Sequence, residues 1–124
     1  MEGRIRVVRS EMLKEGLPTP GMVRHFAETE DVAVSQTRTA PHTVPDWHHH
    51  GSHTAYVFVR SGTLRVEWGT DGRESVDLKP GDFYVIPPGT AHRESNPGDD
   101  EQVIWGLLVG TGPAVVNVAG PDQH

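Results

Sequence analysis

Cysteine is absent from the sequence, which excludes disulfides, thiolate metal ligands, thiol redox chemistry and a cysteine nucleophile. Any metal held by this chain is bound through nitrogen and oxygen. Basic residues are also few. The 11 lysines and arginines stand singly against 17 acidic residues, a formal charge of −6, so a phosphate backbone finds no electropositive face and nucleic acid is not an expected partner. No apolar run approaches the roughly 20 residues that span a bilayer, and charges interrupt residues 1–9 where a signal peptide would carry its apolar core. The expectation is a soluble, cytoplasmic protein with no membrane partner. A chain of 124 residues has room for one core and one site.

Turn-forming residues are plentiful: 14 glycines and 10 prolines are spread along the whole length and divide it into short segments. From Thr43 onward these segments read as strands separated by turns, the rhythm of an all-β sandwich or barrel. Ala55 to Arg60 is rich in β-branched and aromatic residues, and Ser61-Gly62 predicts a hairpin into Thr63 to Trp68. Gly69 to Gly72 turns that segment back into Glu74 to Leu78, and Lys79 to Asp82 turns again before Phe83 to Ile86. His92 to Ser95, Gln102 to Val109 and Ala114 to Val118 complete the strand candidates. In the first forty residues, Val7 to Leu17 reads as one or two helical turns and Val32 to Thr39 as extended. The apolar residues Ile5, Val7, Val8 and Leu13 belong either to a dimer-forming arm or to an edge strand of the same subunit.

Histidines supply the chemistry. His48 and His50 are two apart, so an extended strand presents both imidazoles on one face while His49 points away, outward. Two donors do not fix a metal, and His92, opening a fresh strand after a Pro-x-Gly turn, is the third. His53 is the candidate fourth: a bulge at Gly51-Ser52 would continue the same face through His53, Ala55, Val57 and Val59. Otherwise it hydrogen-bonds a ligand or the substrate. Glu94 and Asn96 share the side of His92. Glu94 is either a proton shuttle with a carboxyl raised by burial or the partner of an arginine, and Asn96 ties the strand end through its amide.

These residues resemble the cupin superfamily. Its second motif, Gly-x5-Pro-x-Gly-x2-His-x3-Asn, is matched at each specified position by Gly81, Pro87, Gly89, His92 and Asn96. Its first, Gly-x5-His-x-His-x3 or x4-Glu-x6-Gly, is matched by His48, His50 and Gly62, with His42 in place of its glycine and Ala55 in place of its metal-binding glutamate. The resemblance covers roughly residues 40 to 110. It implies a single double-stranded β-helix, a jelly-roll barrel, with an arm and first strands over 1–39, the barrel core over 40–118 and a tail over 119–124. A homodimer is expected, as in many small relatives.

The same resemblance implies a divalent ion on His48, His50 and His92, with His53 able to add a fourth donor. Iron(II) is favoured; zinc, manganese and nickel suit such sites too. A histidine-only set resembles that of thiol dioxygenases and β-diketone-cleaving dioxygenases, although the Cys-Tyr crosslink of some thiol dioxygenases cannot form here. Neutral ligands leave the full dication charge to attract an anion or acidify water, so the expected substrate is a small chelating anion or enolate. The first expectation is a dioxygenase. The second is a redox-neutral lyase, isomerase or cyclase in which Glu94 or His53 moves the proton, and the third is a cupin that binds a small molecule without turning it over.

Overall fold

The computed structural model describes residues 3–29 and 31–122; His124 lies outside them. Eleven antiparallel strands follow one another: β1 (Lys14–Glu15), β2 (Val23–Thr29), β3 (Val32–Thr39), β4 (His48–His49), β5 (Thr54–Ser61), β6 (Leu64–Trp68), β7 (Glu74–Leu78), β8 (Phe83–Ile86), β9 (His92–Ser95), β10 (Gln102–Val109) and β11 (Val116–Asn117). They form a six-stranded sheet in the order β1-β2-β3-β10-β5-β8 and a five-stranded sheet in the order β11-β4-β9-β6-β7. This is the all-β architecture that the strand rhythm predicts, in the jelly-roll form that the family resemblance implies.

Alternation positions the core. On β5, Ala55, Val57 and Val59 point inward and are buried, and they meet Leu64 and Val66 of β6, Ile86 of β8 and Ile104 and Leu108 of β10. One register follows directly. His92 pairs with Trp68 and Glu94 with Val66, so these two residues of β9 face the space between the sheets.

Three elements differ from the sequence expectation. The segment Val7 to Leu17 holds only a three-residue 3-10 turn, Ser10–Met12, before the short β1. Strand β2 emerges where no alternation marks it, because its buried position is occupied by an arginine, Arg24. The predicted hairpin between Ala55 to Arg60 and Thr63 to Trp68 does not form. β5 pairs with β10 and β8 while β6 pairs with β7 and β9, so Ser61-Gly62 is a corner at which the chain crosses from one sheet to the other. Gly62 has φ +80, and a Cβ there would lie 2.7 Å from the Gln102 Cα, so the corner hugs the start of β10.

The loop after β9 is held as expected by Asn96, whose buried amide donates to the carbonyls of Thr39, Ala40 and Asp100 while its oxygen accepts from the Gly98 N–H. Close by, His42 stands at the glycine position of the first motif and keeps the conformation a glycine would take, φ +53. Its Nε2 lies 2.7 Å from Asp99 Oδ1, but that pair is exposed and contributes little. Replacing the left-handed histidine should therefore relieve strain: His42→Gly is expected to stabilise the fold by about 0.5–1 kcal/mol, read as a rise of a few degrees in Tm. A lower Tm would show that the His42–Asp99 contact outweighs the backbone strain.

Candidate metal centre

The short strand β4 pairs with β9 through a single register, His48 opposite His92, and this sets the two histidine motifs side by side. His50 follows at the end of β4. The donor atoms of His48, His50 and His92 lie within 4.8 Å of one another, and all three residues are buried. Their ring centroids are 4.3 to 5.0 Å apart. Two of the rings are oriented from behind. The Nδ1 of His50 is 2.8 Å from the Ala114 carbonyl and that of His92 is 2.9 Å from the Thr90 carbonyl, which places the proton on Nδ1 and turns the Nε2 lone pair toward the cluster.

Burial and mutual proximity keep the imidazoles of His48 and His50 neutral. The His48 ring titrates well below the ordinary histidine value, through burial first and the neighbouring His92 second. His50 is pushed down to about 3 for the same two reasons. His92 Nε2 has no hydrogen-bond partner among the described residues; Glu94 Oε1 is 3.4 Å away but poorly aligned. An unpartnered, buried nitrogen aimed into a histidine cluster is what a bound cation would satisfy, so the residues present fit a divalent ion.

The structure does not bring His53 into that cluster. Gly51 turns with φ +58 against the Pro113 carbonyl, so His53 folds behind His50, and its backbone N–H and its Nδ1 both lie within 3.1 Å of the His50 carbonyl. His49 points away from the cluster but is buried rather than outward-facing, and its Nδ1 accepts the Gly51 N–H at 3.0 Å.

Glu94 reaches the cluster. Its Oε1 lies 3.5 Å from His48 Nε2 and 3.4 Å from His92 Nε2, and its Oε2 accepts a hydrogen bond from the Tyr84 hydroxyl. Burial alone would raise this carboxyl, as expected from the sequence, but contacts with His92, His48 and Tyr84 outweigh it and hold Glu94 below the usual carboxylate range. At neutral pH it is a carboxylate and not a stored proton. It has no ion pair with an arginine among the described residues.

Two residues at the site escape a sequence reading. Tyr84 shares the inward parity of Ile86 on β8, so strand alternation does point to it. Arg24 has no such signal. Its buried guanidinium donates through NH1 to the Leu17 carbonyl and Thr19 Oγ1, both at 3.1 Å, and its NH2 stands 3.5 Å from His48 Nε2. With His50, Ala55, Val57 and Glu94 it lines a cavity with about 20 Å³ of room, enough for an ion or a water. A largely apolar cavity of about 120 Å³, lined by Val66, Trp68, Tyr84 and Ile86, also reaches His92.

The depressed histidines set an acid-side cost with a definite sign. The unfolded chain takes a proton on His50 near pH 6.5 and the folded chain only near 3, so in between the unfolded state binds more protons and stability falls as pH drops. Glu94 is shifted down as well and adds to the same loss, but only below its ordinary value of 4.5. Chelator-treated protein is therefore expected to lose about 1.4 kcal/mol per pH unit through His50 on acidification from about pH 6 to 5, with His48 adding a loss in the same direction. Thermal melts across that window check it. An unchanged Tm would show that the folded protein accepts those protons.

The fold agrees with comparisons to known proteins. No curated protein matches the sequence. Among solved structures, oxalate decarboxylase from Bacillus subtilis superposes with a TM-score of 0.72 at 19% identity, over 85% of this chain but only 30% of that one. Peruvianin-I, described as a cysteine peptidase from Thevetia peruviana latex, superposes with a TM-score of 0.76 at 18% identity, over 92% of this chain and 77% of that one. This chain thus spans about a third of oxalate decarboxylase, and the likeness to both is one of fold. The cupin domain family itself matches residues 36–110, from β3 through the end of β10 and including all three clustered histidines. The chain belongs to the cupin domain family.

Proposed function

We propose that this chain is a metal-dependent enzyme in which His48, His50 and His92 hold a divalent ion, iron(II) in the first instance, and that it is a dioxygenase of a small organic anion or enolate. The observation that carries the proposal is the buried cluster of three imidazoles, two of them low-titrating and two oriented through Nδ1. Bound there, the ion would supply charge to an anionic ligand and a position for oxygen.

The chain's own residues favour an anion. Arg24 brings a buried guanidinium to the same cavity, where a carboxylate or enolate would meet a fixed positive charge with little solvent screening. The apolar walls of Val66, Trp68 and Ile86 suit the remainder of a small organic molecule and exclude water from it. Of the residues expected to act on protons, Glu94 faces the cluster, whereas His53 braces the His50 carbonyl and serves as a positioning residue. The solved neighbours named above include enzymes with quite different descriptions. A cysteine peptidase activity is excluded here by the absence of cysteine, and work on the Mn(II) centres of Bacillus subtilis oxalate decarboxylase keeps manganese and redox-neutral chemistry as the second reading.

The homodimer belongs to this proposal as well. The outer face of the six-stranded sheet exposes Tyr56, Phe83, Val85, Trp105 and Leu107, with the Phe58 ring packed against both Phe83 and Trp105, a patch suited to a second copy of itself. Sedimentation is expected to give twice the 13.6 kDa chain mass, reduced to one chain by Phe83→Glu; a wild-type monomer would overturn it.

The enzymatic proposal is tested on untagged protein never exposed to a nickel column. Elemental analysis is expected to find about one metal per chain, lost in His48→Ala and His92→Ala and retained in His49→Ala. The iron form is then expected to consume oxygen with a chelating oxo- or hydroxy-carboxylate. Turnover of such an anion without oxygen uptake would move the assignment to a lyase or isomerase. Metal binding without any turnover would leave a binding protein.

A further inference from the structure

We propose that Glu94 is the fourth donor of the metal centre, a carboxylate relocated from the strand on which the family's first motif carries it. The inference rests on the reading of His48, His50 and His92 as metal ligands and adds a residue to them. Position 55, where the motif places its glutamate, is a buried alanine on β5. Ala55 and Glu94 line the same small cavity, one from each sheet, so a carboxylate lost from one wall is present on the opposite one.

Distances support the relocation. Donors bonded to one ion at about 2.0–2.2 Å stand roughly 3 to 3.5 Å from their neighbours. Glu94 Oε1 lies 3.5 Å from His48 Nε2 and 3.4 Å from His92 Nε2. It thus occupies the position of a donor adjacent to both. Strand parity explains why: residues 92 and 94 of β9 project to the same side, opposite Trp68 and Val66 of β6.

The second carboxylate oxygen fixes the first. Oε2 is engaged by the Tyr84 hydroxyl, so the carboxylate cannot swing away without breaking a buried hydrogen bond, and Oε1 stays turned to the imidazoles. The competing role, an ion pair with the nearby arginine, is not what the side chains do. Arg24 spends NH1 on Leu17 and Thr19 and directs NH2 toward Met22 Sδ and His48, with no salt bridge to Glu94 among the described residues. A buried carboxylate that makes no salt bridge with the arginine lining its cavity, and that is bordered by imidazole nitrogens, is matched by a cation placed among them.

Cobalt(II) is the probe, its affinity read by chelator competition and its coordination by visible absorption, on the wild type, Glu94→Gln and His92→Ala. Glu94→Gln keeps the side chain's size and removes its charge. It is expected to weaken cobalt binding at least tenfold and alter the absorption bands, since even residues that only orient a ligand change affinity 10–100-fold. In the unmodified protein labelled with 13C-glutamate, infrared difference spectra on adding one equivalent of cobalt are expected to show a shifted carboxylate stretch; this needs no variant to fold. Wild-type affinity and bands in Glu94→Gln, or no carboxylate shift, would overturn the assignment of Glu94. If His92→Ala alone then loses cobalt, the three-histidine site stands without it. Undiminished binding in His92→Ala would overturn both.

Discussion

Burial keeps the imidazoles of His48 and His50 uncharged beside that of His92, and the design of this small barrel follows from that constraint. A protonated histidine at this depth would be repelled by two others with ring centroids 4.3 to 5.0 Å away, with no water to screen it. Each buried ring N–H also needs an acceptor, and backbone carbonyls of Ala114 and Thr90 serve for His50 and His92. The packing that excludes water from the cluster is therefore also what prepares its nitrogens as donors. Stability in acid and readiness for a cation are two readings of the same arrangement.

Much of this was legible in the sequence because it depends on spacing. His48, His50 and His92 were found from a two-residue repeat and a turn motif, and the buried row Ala55, Val57, Val59 from simple alternation. What spacing does not convey is which strands pair. Ser61-Gly62 reads as a hairpin turn, yet the same residues serve a corner between sheets, since turn chemistry fixes local backbone and not the partner of the strand that follows. The bend at Gly51 likewise depends on Pro113, more than sixty residues away, so His53 could not be placed from its neighbours alone. Glu94 was identified as inward, but the balance of burial against three nearby groups sets its charge, and those groups come from β4, β8 and β9.

Arg24 shows the converse limit. It is buried on a strand that sequence pattern does not mark, and the reason it is functional in appearance is the reason the strand was hidden: an apolar residue at that position would have completed the alternation. The guanidinium also connects the N-terminal strands to the far end of the chain, since Thr19, which accepts from Arg24, donates to Asn117 of β11. A cationic side chain, the imidazole of His50 and one carboxylate around about 20 Å³ make a balanced cavity, and adding a dication beside it leaves net positive charge that an anionic ligand can neutralise.

The strands that carry His48 and close the sheet edge are the shortest in their sheet. β4 and β11 contribute two residues each, and β4 joins β9 in the strand ladder through the single pair His48 and His92. Such a seam has little cohesion of its own, because so few ladder hydrogen bonds cross it. A ligand that bridges the two histidines would act as a rivet through that seam, binding only the joined form and so favouring it by mass action. The order of the C-terminal edge and the loading of the centre are then a single equilibrium, observed once as a fold and once as an affinity.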